Sequence, residues 1–303
     1  MISRQRRSIH QIAVIFIAIL VGFGCRKLKV ITEEGTSVLS NTVIKVILPF
    51  YLFDAIVSSE SGIDSAGVLA ALGISTGMFL VAGLVALIVI PRLKPAPDDR
   101  GIYMFETMCG NVTYIGIPVC AAAFGGNAAF YASLLNIPYN LLCFSLGIFL
   151  LSGKSSFKRI LNPAFLSGLV AAILYMLGVK VPALITDACN FIGKATSPCA
   201  MLIIGSVLAD VPVKDLFTDW RMIPFTAVKL FGVAALMFLL LRFIPCDDTL
   251  RKVVILMAAM PAATNSTMLC AVYGGNRSLS AKLIFITTAL AVLTIPLWVQ
   301  ILS

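Results

Sequence analysis

Charge is what this sequence has least of. Only 12% of its residues are Asp, Glu, Lys or Arg, against roughly a quarter in a soluble chain, which excludes a soluble globular domain. Histidine is nearly absent: His10, close to the N-terminus and expected to be solvated, is the single one. Neither an H-E-x-x-H metal motif nor a serine nucleophile with a histidine base can be assembled, and no carboxylate pair stands at ligand spacing. A membrane-embedded enzyme, a resident metal and an organic cofactor are therefore not expected. The eight cysteines contain no C-x-x-C pair, and all except Cys246 fall within or at the ends of apolar stretches, where a small apolar filler is the ordinary reading. Long polar connections are missing too, so no soluble domain fits between the apolar stretches.

What is present is apolar sequence almost from end to end. Hydrophobic residues make up 59% of the chain, in ten runs at approximately 9–28, 36–57, 66–90, 100–123, 128–151, 161–179, 183–209, 222–244, 250–273 and 280–302. Each has the roughly 18 or more residues needed to cross a bilayer core. Backbone groups in lipid must be satisfied internally, so long unbroken runs mean helices, whereas a barrel would show short alternating strands. The expected class is an all-α, multi-pass integral membrane protein.

The chain also repeats itself at an offset of 149 positions. Asn41, Lys45 and Pro49 recur as Asn190, Lys194 and Pro198; Asp98-Asp99 recurs as Asp247-Asp248; Phe124-Gly125-Gly126-Asn127 recurs as Tyr273-Gly274-Gly275-Asn276. The two halves, 1–151 and 158–303, are joined by a short polar linker at 152–156. Each half holds an odd number of runs, so the second sits upside down relative to the first, the arrangement of secondary transporters. The paired aspartates suit helix N-termini and the Gly-Gly signatures suit tight turns at the far ends of the same runs.

The net charge of +9 is topological. Ten crossings put both termini on one side with seven basic residues, among them Arg4, Arg6, Arg7 and Lys180; the other side carries thirteen, among them Arg26, Lys27, Lys29, Arg92, Lys154, Lys158, Arg159, Lys214, Arg277 and Lys282. The excess of positive charge marks the cytosol, which places both termini outside. No nucleic-acid partner is implied. The Arg-rich start also fits a signal peptide, but residues 161–179 occupy the matching place in the second half, so removal of the first run would break the repeat.

The chemistry concentrates in runs four and nine. One reads Glu106-Thr107-Met108-Cys109-Gly110-Asn111-Val112-Thr113-Tyr114-Ile115-Gly116-Ile117-Pro118, the other Met260-Pro261-Ala262-Ala263-Thr264-Asn265-Ser266-Thr267. Proline removes a donor and frees a carbonyl where lipid offers no replacement, so both helices are expected to kink or unwind here and to meet near the midplane. The helix ends so exposed suit a carboxylate. Asn111 and Asn265, which both donate and accept, are the leading substrate contacts, with Thr113 and Ser266 beside them and Pro118 and Pro261 holding the breaks open. Asn136 and Asn140 give run five a polar stripe around Pro138 that may be read as part of the same site or as packing against protein.

Lys45, Lys194 and Lys229 fall inside apolar runs, each at a cost of several kcal/mol, on the order of 3 by insertion scales, unless paired or facing water. Lys45 and Lys194 either lend positive potential to an anion path, or snorkel, or pair with Asp54 or Asp187. Lys229, with no repeat mate, reads as structural or interfacial. Glu106, whose repeat position is Ile255, either carries a proton or holds a cation, or is a carboxyl open to cytosolic water. Asp54 has similar standing, nearer the outer interface.

These two motifs, each followed by its aromatic-Gly pair, together with Thr294-Ile295-Pro296-Leu297 near the end, resemble the auxin efflux carrier family over essentially the whole chain. The family includes the plant PIN exporters and bacterial permeases for malate, malonate and similar acids. The absence of a long loop between 151 and 160 makes the chain more similar to the bacterial members, and a prokaryotic inner membrane is the expected location. The resemblance implies ten helices in two inverted five-helix repeats: runs 1, 2, 6 and 7 as a scaffold that forms a homodimer, runs 3–5 and 8–10 as a mobile unit with crossed, broken helices 4 and 9, and an elevator-like alternation. More distantly related bile acid:sodium symporters use a carboxylate in helix 9 for sodium; this chain has no acid at 249–273, so a proton, or no coupling ion, is expected before sodium. The function expected is carriage of a small organic anion. The alternative on the same fold is a non-transporting sensor or an ion channel.

Overall fold

The computed structural model describes residues 2–59, 62–153, 161–211, 219–273 and 275–303. Most of the linker, Gly274, and the cations Lys154, Lys158, Arg159 and Lys214 lie outside the described residues, as do the side chains of Arg4, Arg6, Arg7 and His10.

Among the described residues, sixteen α-helices fill the ten apolar runs. Run one is α1 (Ile2–Lys27). Run two is α2 (Glu33–Thr42) and α3 (Leu48–Val57), joined by a wide π-turn at Val43–Ile47. Run three is α4 (Ser65–Val89). Run four is divided into α5 (Pro97–Met108) and α6 (Ile117–Phe124), with a π-turn at Val112–Gly116 leading into α6. Run five is α7 (Gly126–Leu142) and α8 (Ile148–Ser152) around a third π-turn, Cys143–Gly147. Run six is the short α9 (Pro163–Met176), and run seven is α10 (Ala183–Gly193) and α11 (Thr196–Ala209). Run eight is α12 (Met222–Ala227) and α13 (Val233–Leu240) around a fourth π-turn, Val228–Gly232. Run nine is divided into α14 (Asp248–Ala258) and α15 (Ser266–Tyr273), and run ten is α16 (Arg277–Leu302). No β-strand is present among the described residues. Six helices, 33–57, 65–93, 127–151, 183–209, 222–240 and 277–302, are long and apolar enough to cross a membrane. The chain is an all-α multi-pass membrane protein.

Local chemistry explains where these helices start. The side chains of Thr32, Asp64, Asn162, Asp247 and Asn276 each accept an amide of the first turn of α2, α4, α9, α14 and α16. The paired aspartates behave as the repeat suggests: Asp98 and Asp99 lie in the first turn of α5, Asp247 caps α14 and Asp248 follows it. The turn signatures need glycine, since Gly125 and Gly275 have φ of 96° and 136°. One half's signature touches the other's: Asn276 Nδ2 donates to Asp99 Oδ1 at 3.0 Å.

Runs one, two, six and seven pack together. α1 lies along α11 so closely that a Cβ on Gly205 would stand 2.0 Å from the Ile19 carbonyl, and one on Gly22 2.5 Å from the Leu202 carbonyl. At the end of this contact the Arg26 guanidinium grips the Asp210 carboxylate with two bonds of 2.8 and 2.9 Å. α3 is fixed to α9 by Ser167 Oγ donating to the Pro49 carbonyl at 2.6 Å, and to α10 by Asn190 Nδ2 donating to Asp54 Oδ2 at 2.7 Å. Asp54 thus serves a bond between runs two and seven. The remaining runs pack around runs four and nine, with α4 against α5 and α7, and α14 against α7 and α13.

Candidate functional site

The two divided helices meet. Run four loses helical form at Cys109–Asn111 and run nine between Ala259 and Asn265. There Gly110 and Ala262 form an antiparallel backbone bridge, and the Asn111 amide donates to the Pro261 carbonyl at 2.7 Å. Each break therefore satisfies part of the other's backbone, as the absence of water in a bilayer core demands. Other amides find side chains: Tyr114 N–H goes to Asn111 Oδ1 at 3.1 Å, Ala262 N–H to Thr287 Oγ1 at 3.1 Å, and Ala263 N–H to Glu106 Oε2 at 2.8 Å.

The prolines divide the work differently from the sequence expectation. Pro261 sits in its break. Pro118 does not: it lies in the first turn of α6, seven residues after Asn111, and the wide turn Val112–Gly116 absorbs its missing donor without interrupting the chain of helical residues. The break in run four belongs to Cys109-Gly110-Asn111.

Two cavities flank the crossover. The larger, about 420 Å³, runs from the ends of α2, α11 and α16, where Glu33, Asp210, Arg277 and Lys282 line it, past Thr36, Ser37 and Ser40 to Tyr114, Thr264 and Asn265. The smaller, about 80 Å³, is lined by the amides Asn111, Asn140, Asn162 and Asn265 with Thr113, Tyr114, Tyr139 and Thr264. Tyr114, Thr264 and Asn265 line both, and the Tyr114 hydroxyl lies 3.3 Å from Ser40 Oγ, bridging the crossover to α2. Asn265 lines both cavities, and its Oδ1 is buried with no hydrogen-bond partner among the described residues.

Of the residues singled out by sequence, Asn111, Thr113, Asn140 and Asn265 come together here. Asn136 stands one layer behind, accepting from Thr113 Oγ1 at 2.7 Å while its carbonyl accepts from Asn140 Nδ2 at 2.7 Å. Ser266 is not at a cavity: its hydroxyl is fully buried against Ser280 Oγ at 2.6 Å and the Glu106 carboxylate. Glu106 is 0% exposed and holds run four to runs nine and ten, so the reading of a carboxyl open to water is corrected. Lys45 and Lys194 are exposed on the outer surface of the chain and line neither cavity. Lys229 is the reverse case. Read as structural or interfacial, it is 3% exposed inside the protein and donates to the Thr107 carbonyl at 3.2 Å. Sequence reasoning also missed Asn162, which caps α9 through Oδ1 and donates to Asn140 Oδ1 at 3.0 Å. The clue was its place directly before Pro163, at the start of an apolar run.

Six helices able to cross a membrane, with two interrupted helices joined at their breaks beside polar-lined cavities, are an arrangement suited to a membrane transporter. Among the described residues no group of three or more His, Cys, Asp or Glu is placed to hold a metal ion. The chain belongs to the family described as membrane transport protein, the auxin efflux carrier family, whose model matches residues 7–158 and 148–299. It is 26% identical over 305 aligned positions to an uncharacterized transporter of Methanocaldococcus jannaschii, covering 96% of this chain and 97% of the relative. A second uncharacterized transporter, from Methanothermobacter thermautotrophicus, is 23% identical, with 95% and 96% covered. A protein of Rhizobium meliloti provisionally named a malonate transporter is 24% identical over 63% of each chain.

Proposed function

We propose that this protein is a secondary carrier for a small organic anion, a mono- or dicarboxylate, bound at the crossover by Asn111 and Asn265. The observation that carries the reading is the backbone bridge Gly110–Ala262 with the amide side chains of Asn111 and Asn265 lining the cavities beside it. Amide donors orient a carboxylate without a fixed counter-charge, which suits a cavity whose mouth sets Arg277 and Lys282 against Glu33 and Asp210, the latter already paired with Arg26. The provisional malonate assignment of the Rhizobium meliloti relative is in keeping with this substrate class.

On this reading the ten runs are ten crossings in two inverted five-helix repeats, 1–151 and 158–303, in a prokaryotic inner membrane with both termini outside. Runs 1, 2, 6 and 7 are the scaffold and the dimer contact; runs 3–5 and 8–10 are the unit that moves. The larger cavity then faces the cytosol, and the state described is open inward. A proton is the preferred coupling ion.

Counterflow in proteoliposomes tests this. Vesicles preloaded with unlabelled malonate should take up labelled malonate, and malate should compete. Folded protein that exchanges neither these nor any other mono- or dicarboxylate would remove the substrate class.

A further inference from the structure

Lys229 lies behind the crossover, on the side away from both cavities, and the binding reading makes no use of it. It is carried in the π-turn Val228–Gly232, a local widening that frequently marks a functional position, and the carbonyl of Leu230 in that turn is satisfied by Trp298 Nε1 at 2.9 Å. Its ammonium donates to the Thr107 carbonyl, in the last turn of α5, where the peptide dipoles end in partial negative charge. Glu106, buried one residue earlier, lies within electrostatic reach and takes the Ala263 amide in the break of run nine, the Ser266 hydroxyl at the start of α15 and the Ser280 hydroxyl in the first turn of α16. A Cβ on Gly110 would stand 3.1 Å from Lys229 Nζ and 3.3 Å from the Met260 carbonyl, so the ammonium packs against the break of run four where run nine closes on it.

Helix-end carbonyls and a buried carboxylate are the oxygen donors with which membrane carriers hold a small cation. Here the cation among them is part of the chain. Complete burial excludes snorkelling to an interface, and removing one member of such an arrangement leaves an uncompensated charge.

We propose that Lys229 is a tethered cation that fills, from within the protein, the place at the crossover that a coupling metal ion would take, and holds the two breaks in register, so that transport proceeds without sodium. Lys229 is on this view a positioning residue. The transport part of the test rests on the carrier reading above; the unfolding part does not.

Lys229→Ala removes the ammonium and the three methylenes that propylammonium supplies. Thermal unfolding of the full chain in detergent is followed with sodium, propylammonium or choline as the added cation. The wild-type midpoint should be the same in all three. Lys229→Ala should be lowered in choline and recover about half or more of that loss in propylammonium or sodium, by preferential binding to the folded state. Lys229→Met, which fills the space without charge, should respond to neither. A Lys229→Ala chain that no cation raises above choline, or that folds in none of the three, overturns the proposal, as does a wild type that sodium stabilises. In proteoliposomes, wild-type exchange of labelled malonate should keep its rate when choline replaces sodium on both sides. A fall of about tenfold or more, the size of an ordinary coupling, overturns the proposal without any variant. If no acid exchanges at all, the carrier reading fails and the unfolding series still decides the role of Lys229.

Discussion

Asn111 performs two tasks with one amide. Its oxygen takes the Tyr114 N–H as a helix cap would, and its nitrogen reaches towards Thr264 Oγ1 at 3.4 Å across the break, while the side chain lines the smaller cavity. Asn111→Ala should therefore lose about 1 kcal/mol of stability with the cap. Asn111→Ser keeps a short cap acceptor for the Tyr114 amide but withdraws the amide donor from the cavity. Thermal unfolding should leave Asn111→Ser near wild type, while labelled-malonate exchange falls by about tenfold or more; undiminished exchange would remove Asn111 from the site. Glu106→Gln can keep an acceptor on the Ala263 amide but then turns a donor on the Ser266 and Ser280 hydroxyls, which now donate to the carboxylate, and should cost about 1–3 kcal/mol, read from the unfolding midpoint. At this scale the sequence was informative about residue types and poor about surroundings. Asn111 and Asn265 stood out because amides beside Gly or Pro in an apolar run have few uses other than binding or repair of a broken helix. Ser266 shared their motif, yet its hydroxyl turns to a carboxylate 160 positions away. Lys229 and Lys45 look alike in sequence, and only tertiary packing makes one buried and the other exposed.

At the scale of elements, glycine decides which helices touch. Gly205→Ala would drive a methyl into the Ile19 carbonyl of α1, a backbone atom that cannot rotate away, and should destabilise by about 3 kcal/mol. Gly73→Ala in α4, where a Cβ meets nothing within 4 Å, should be neutral or gain up to about 1 kcal/mol of helix propensity. Equal losses in the two variants' unfolding midpoints would mean that the α1–α11 contact contributes nothing special. Apolar runs, caps and paired aspartates were readable because they depend on neighbours a few positions away. The break in run four was readable as a fact and misplaced in position: Pro118 is the conspicuous residue, but a π-turn accommodates it, and the chain opens at Cys109–Asn111, where the opposing backbone of run nine supplies the hydrogen bonds. Nothing local announces such a partner.

For the molecule as a whole, few polar bonds join runs four and five to runs two and six. Tyr114 meets Ser40, and Asn140 meets Asn162. If the former pair of runs moves past the latter, both contacts must part in every cycle. In a background freed of native cysteines, Ser40→Cys with Tyr114→Cys joined by a bifunctional methanethiosulfonate should stop malonate exchange, and a reductant should restore it. Exchange that continues through the cross-link would rule out sliding at this surface. The membrane class could be read from composition, since it is a property of the whole chain; the cavities could not, because their walls are assembled from Glu33 to Lys282. The Gly110–Ala262 bridge has a consequence for how the protein is made. Residue 110 leaves the ribosome about 150 positions before residue 262, a delay of about 8 to 30 s at ordinary rates of synthesis. Throughout that interval the opened backbone of the fourth run has no partner of its own and is unsuited to lipid. The insertion machinery must shelter the first half of the chain until the second emerges to complete it.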